Sequence, residues 1–288
     1  MTDSRRKVLA ALVATVTATA LALAKLAVSV LTGSLAVLAS AVDSLMDVAC
    51  SGLNTYFLRL AAKPSDEEHA YGHGKAEALS GVIQAVIIAM GGFWVVARAM
   101  SRIVRPEPVS SPEAGVAVSL AALAVSLVLV VYLRREARAT QSIALAADAF
   151  HYVTDIATNI VAAIALVGYR ILGWQWLDPV ASIAIAVYII VSAAGILRDA
   201  ADELLDRGLP IEVEKGIRDL VLGLGPEVRG VRFFRSRKSG GTQFFEFCLL
   251  VDRRASFERS HDLAEAAAEA IRLSRGASAQ VMVHVDPA

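Results

Sequence analysis

The chain has 288 residues, 56% of them hydrophobic and 19% charged, and its 28 basic and 28 acidic residues balance to a formal net charge of zero. The apolar share is above, and the charged share below, what a globular enzyme carries, and the neutral balance leaves no electrostatic footprint for nucleic acid. Two cysteines, Cys50 and Cys248, rule out a disulfide framework, so the composition points to a polytopic membrane protein.

Six apolar runs reach the roughly 20 residues that a bilayer core requires. They occupy residues 8–32, 34–61, 76–98, 114–133, 142–169 and 177–197 and are rich in Ala, Leu, Val and Ile. Arg5, Arg6 and Lys7 before the first run, with Ala-Leu-Ala at 22–24, would also suit a secretory leader. The run is long for a leader and a second follows at once, so it reads as a span. Lys25, near its end, has a stem long enough to snorkel to the interface.

Six spans put both ends of the chain on one side. That side carries Arg5, Arg6, Lys7, Arg59, Lys63, Lys75, Arg134, Arg135, Arg138, Arg198 and Arg207. The other carries Arg98, Arg102, Arg105 and Arg170. The excess of basic residues predicts cytoplasmic termini and a cytoplasmic loop 63–74 in a multi-pass plasma-membrane protein.

Ionisable residues inside spans are costly and mark function. Asp43 and Asp47 lie in the second run, His151 and Asp155 in the fifth, each pair spaced i, i+4 and so sharing one helix face. Together they supply three carboxylates and an imidazole, a four-ligand set for a divalent metal. Asp148, one turn before His151, reads either as a partner of that imidazole or as a helix-start or water-facing acid.

The loop Asp66-Glu67-Glu68-His69-Ala70-Tyr71-Gly72-His73-Gly74 holds two of the five histidines. Asp66, His69 and His73 are spaced to converge on one ion, with Gly72 and Gly74 allowing the backbone to bend.

After about residue 206 the pattern changes. Residues 211–223 and 256–273 have helical periodicity, and 228–236, 243–251 and 279–285 alternate like strands, predicting a small αββαβ domain. The domain division is 1–207 and 208–288. His284 and Asp286 share a strand face, and with His261 they form a candidate third metal site.

The pairs Asp43/Asp47 and His151/Asp155, the string His69-Ala-Tyr-Gly-His73-Gly-Lys75-Ala-Glu77, the segment Leu205-Asp206-Arg207-Gly-Leu-Pro210 and the closing His284-Val-Asp286-Pro287 together resemble the cation diffusion facilitator family, of the bacterial zinc/iron exporter type. The resemblance implies an α-helical membrane protein of six transmembrane helices with a metallochaperone-like cytoplasmic domain, acting as a homodimer. It implies export of divalent metal, commonly Zn²⁺, in exchange for protons, with no enzymatic activity. It carries Asp43, Asp47, His151 and Asp155 to the transport site, Asp66, His69 and His73 to a loop site, and His261, His284 and Asp286 to part of a two-metal tail site. It also places Lys75 and Asp206 at a charge interlock near the dimer axis. The tail departs from the family pattern, having Arg232 and Cys248 where further histidines stand. Arginine stays protonated and cannot ligate, and Cys248 is either a soft ligand or a small buried apolar residue. The expectation is therefore one tail metal at most, and weaker or altered metal regulation.

Metal and protons would compete for the same lone pairs, with His151 the first carrier because imidazole titrates near neutrality. Zn²⁺ and Cd²⁺ suit the donor set, and Fe²⁺, Co²⁺ and Mn²⁺ are tolerated. A membrane hydrolase is disfavoured by a full ligand set, whereas a metal sensor without flux would use the same residues.

Overall fold

The computed structural model describes residues 2–32, 35–104, 114–172, 177–276 and 279–288. Within these, the side chains of residues 32, 35–40, 42, 43, 102, 114–119, 158, 159, 161–172, 177 and 178 lie outside the described residues, as do Arg105 and the side chain of Arg170. The chain divides into two compact units, Met1–Ala201 and Asp202–Ala288.

The first unit is built from six long helices: α1 (Asp3–Thr32), α2 (Leu35–Ala61), α3 (Lys75–Val104), α4 (Ala114–Thr140), α5 (Ile143–Leu172) and α6 (Leu177–Leu204), the last ending in the second unit. Among the described residues, the segments Asp3–Leu31, Lys75–Ser101 and Pro179–Leu204 are long and apolar enough to cross a membrane. Helices α2 and α5 are where Asp47, Asp148, His151 and Asp155 interrupt the apolar pattern. The core between helices is built from small residues. Ala10, Ala11 and Ala14 of α1 meet Leu58 of α2, Leu129, Leu133 and Ala137 of α4, and Ala144, Leu145 and Ala149 of α5. Without a hydrophobic force between helices in lipid, close backbone approach supplies the attraction, and alanine permits it. Glycine does the same on α3, where a Cβ at Gly92 would stand 2.7 Å from Ile190 Cγ1 of α6. Val16, Leu23, Trp94, Val128, Val131 and Val191 stay exposed in this unit, as lipid-facing side chains should.

Two charged side chains in this unit do not behave as interfacial groups. Lys7 is 4% exposed, and its Nζ lies 2.7 Å from Oε2 of Glu77, itself 3% exposed, tying α1 to the first turn of α3. Lys25 does not run out to the interface; its Nζ donates to Ser44 Oγ on α2 at 2.7 Å.

The second unit contains α7 (Ile211–Leu222), β1 (Val228–Ser239), β2 (Thr242–Val251), α8 (Phe257–Arg275) and β3 (Gln280–Pro287), in sheet order β1-β2-β3. β1 and β2 are antiparallel, joined by a tight turn at Gly240, whose φ of +59° suits glycine. β2 and β3 are parallel, which requires the crossover that α8 provides. Alternation along the strands sends Phe245, Phe247, Leu249, Val281, Val283 and Val285 to one face, where Ile217 and Val221 of α7 and Leu263, Ala267 and Ile271 of α8 cover them. β1 runs three residues further than its alternation predicts, because Lys238 and Ser239 still pair with Gln243 and Thr242 across the hairpin. The register slips between Arg232 and Arg235, and Phe233 sits in the slip with φ +51°. Within this unit the last turn of α6 and the segment after it are held to the hairpin. Glu203 accepts from Gly240 N at 2.7 Å and pairs with Lys238 at 3.4 Å, and Asp206 accepts from Arg237 at 3.3 Å.

Candidate metal centre

Three of the intramembrane residues meet between α2 and α5. One face of α2 presents Asp47, and one face of α5 presents His151 and Asp155 a turn apart. His151 Nε2 stands 3.2 Å from Asp47 Oδ1 and 3.9 Å from Asp155 Oδ2, and one ligand atom from each of the three lies within 4.8 Å of the others. All three side chains are partly buried. Asp43 lies one turn before Asp47 on α2, and its side chain is outside the described residues. Two hard oxygen donors and one nitrogen at this spacing suit a divalent transition ion in tetrahedral coordination, with room for one more ligand.

Asp148 takes neither of the roles open to it in the sequence. It is fully buried, so it does not face water, and it lies in the second turn of α5 rather than at its start. Its Oδ1 accepts from Ser51 Oγ on α2 at 3.2 Å, and that hydroxyl also lies 2.9 Å from Tyr152 Oη. The acid is thus bound to α2, one layer away from the ligand cluster.

The loop between α2 and α3 forms a second cluster. The backbone N–H of His69 donates to Asp66 Oδ1 at 2.7 Å, and His69 Nδ1 lies 3.1 Å from the same oxygen. His73 Nε2 lies 3.4 Å from Asp66 Oδ2, and the two imidazole rings are 4.4 Å apart. The turn closes because Gly72 adopts φ +79° and its N–H donates to the His69 carbonyl at 2.8 Å. The N–H of His69 holds the Asp66 carboxyl below the usual aspartate range, so the group is an ionised ligand ready for a cation.

In the tail, His284 and Asp286 do share the outer face of β3, with His284 Nε2 3.0 Å from Asp286 Oδ1. Cys248 stands opposite His284 in the register and donates its S–H to Asp286 Oδ2 at 3.0 Å. Burial, with that bond, pushes the Cys248 thiol up to about 11, which keeps it protonated. Arg232 lies opposite Cys248, but its guanidinium is stacked over Phe233 at 5.0 Å. His261 is exposed on α8 and forms no third metal-sized cluster with His284 and Asp286 among the described residues.

The sequence reading overlooked the buried polar residues beside the cluster. Ser51, Asn54, Ser80 and Gln84 are each 3% exposed or less. A signal existed in the i+4 continuation of Asp43 and Asp47 through Ser51 and Thr55, but single neutral polar residues in an apolar helix draw little notice.

The cation efflux transmembrane domain matches residues 11–205, and the cytoplasmic domain of the cation efflux proteins matches residues 209–288. The chain is 37% identical over 278 residues to the cation-efflux pump FieF of Klebsiella pneumoniae, covering 96% of this chain and 92% of that one. FieF of Serratia proteamaculans is 39% identical over 280 residues, with the same coverage. Among solved structures, one of CzrB is 27% identical over 28% of this chain and 99% of its own, with a TM-score of 0.27. A nickel form of the MamM C-terminal domain is 22% identical over 27% of this chain and 99% of its own, with a TM-score of 0.26. Matches to both halves of one family, together with relatives alike over almost their whole length, place this chain in the cation efflux, or cation diffusion facilitator, family of membrane transporters, which are not enzymes.

Proposed function

We propose that this protein exports divalent transition-metal ions, Zn²⁺ foremost and Cd²⁺ or Fe²⁺ as alternatives, in exchange for protons. The observation that carries the proposal is the convergence of Asp47, His151 and Asp155 from two helices onto one ion-sized space. Asp43, one turn along α2, supplies the fourth ligand in this reading. Three ionised carboxylates and one imidazole bear a formal charge of minus three, which a divalent ion largely offsets. With the ion gone, protons take the same lone pairs. If the site opens alternately to the two sides, that competition becomes exchange.

Asp66, His69 and His73 bind a second ion on the cytoplasmic loop, and the tail holds at most one, at His284 and Asp286. Residues 1–207 conduct, residues 208–288 join two copies into a homodimer, and both termini are cytoplasmic. The pump FieF of Klebsiella pneumoniae, by its name, moves cations outward, in keeping with this direction. The deciding experiment is metal flux into proteoliposomes under a pH gradient, across Zn²⁺, Cd²⁺, Fe²⁺ and Mn²⁺. Flux of Zn²⁺ accelerated by the gradient is expected. Tight metal binding without flux would establish the second reading, a membrane metal sensor.

A further inference from the structure

A column of buried polar groups runs away from the ligand cluster along α2, α3 and α5. Its first layer is Asp148, Ser51 and Tyr152, joined by the hydrogen bonds already described. Asn54, one turn further along α2, sits beside Asp148 and accepts from Ser80 Oγ of α3 at 2.9 Å. Gln84 Nε2 reaches the same Ser80 hydroxyl at 3.5 Å. Glu77, one turn before Ser80, lies at the end of the bundle where α3 begins. Two side-chain atoms along this column, Gln84 Oε1 and Glu77 Oε1, are buried without a hydrogen-bond partner among the described residues, and Asp148 Oδ2 and Asn54 Nδ2 have only each other.

Leaving one such atom unsatisfied in a bundle is costly, and leaving two along one line is more so. Ordered water satisfies groups of this kind where the site is polar enough to offer it several partners. Water and hydroxyls pass protons without changing charge, since each accepts on a lone pair while releasing its own hydrogen. Asp148 is the acid of this column closest to the cluster; it is three residues from His151, and among the described residues its carboxylate bonds to Ser51 rather than to that imidazole. The charged and titratable groups around it are Asp47 and Cys50 from α2 and His151 and Tyr152 on its own helix.

From these contacts we infer that Asp148 is a proton-relay residue outside the ligand set, at the inner end of a hydrated column that leads past Ser51, Asn54 and Ser80 to Glu77. The inference rests on the proton-exchange reading above. A proton entering past Glu77, whose carboxylate stays paired with Lys7, is taken up by the Asp148 carboxylate and neutralises it until it passes to the cluster, and a proton leaving the cluster travels the reverse way.

The test is stopped-flow measurement of the protons released when Zn²⁺ binds the full-length protein in detergent. Asp148→Asn keeps the acceptor for Ser51 but cannot titrate. Asn54→Leu fills the column with an apolar side chain and leaves every charge in place. Both are expected to slow proton release by about tenfold or more, at the low end of what a positioned proton-transfer group supplies. The number of protons released and the Zn²⁺ affinity should change little, and Asp148→Glu should restore the rate. Unchanged release rates in either variant would overturn the relay, and so would a loss of Zn²⁺ affinity in step with the rate, which marks a merely structural role. If Zn²⁺ releases no protons from the unmodified protein, it is the exchange reading itself that fails.

Discussion

At the scale of single residues, the ligand cluster and the loop cluster call for different tests. Asp47 touches His151 and stands partly exposed, so Asp47→Ala removes a ligand without opening a packed core. Loss of flux with an unchanged unfolding temperature is expected, and normal flux in the purified variant would refute the four-ligand site. His151→Asp replaces nitrogen by hard oxygen, which moves preference from Zn²⁺ toward Mn²⁺. Competitive transport of the two ions by that variant measures the change. In the loop, Asp66 is held ionised by the His69 N–H. A depressed native pKa means that the ordering it provides is complete above the ordinary aspartate range, and is lost only as pH falls through the lower native value. Between pH 7 and 5 the His69 N–H bond should therefore stay formed. Asp66→Asn keeps an oxygen for that N–H but removes the charge. It should weaken Zn²⁺ binding at the loop by about tenfold or more across this whole range, measured calorimetrically in an Asp47→Ala background. How legible each residue was depended on its chemistry. Asp43, Asp47, His151 and Asp155 stood out because charge in an apolar run is rare, whereas Ser51 and Asn54 carry no charge and their burial emerges only from packing.

Among the elements, the pair Lys7–Glu77 fastens α1 to α3. Both side chains are almost wholly buried, so the attraction is strong but so is the desolvation that opposes it. Removing one partner strands the other charge. Lys7→Met should lower the stability of the detergent-solubilised protein by about 3–5 kcal/mol, whereas Lys7→Met with Glu77→Leu should recover most of that loss. Thermal unfolding of the three proteins decides it, and equal loss in the single and double variants would mean the pair contributes packing alone. Spacing could not reveal this contact. Lys7 reads as one more basic residue flanking a span, and Glu77 is 70 residues away, so only the packing of α1 on α3 brings them to 2.7 Å. The tail elements were far more legible, because strand alternation and helix periodicity are local. What locality missed was the register slip at Phe233, which depends on how β1 meets β2.

Across the whole molecule, the tail unit carries its own core and lacks a complete third metal cluster among the described residues. Arg232 brings a fixed positive charge to the outer sheet face, and Cys248 keeps its proton. Association of two copies through this domain should then not depend on bound metal. Light scattering of the full-length protein in detergent is expected to report a dimer both before and after chelation. Dissociation to monomer on chelation would show that a tail metal does hold the dimer.

The amino-acid sequence by itself determined that the chain is a membrane helix bundle with a small α+β tail, and which ionisable residues to suspect. Apolar run length, helical spacing and strand alternation are properties of neighbouring residues, and bilayer thickness and backbone geometry act on them directly. Only the tertiary structure decided that Asp47 meets His151 and Asp155, that Asp148 turns to Ser51, and that Lys7 finds Glu77. Each of those contacts joins different helices, and their distance is set by how closely alanine and glycine let the helices approach, which no single segment encodes.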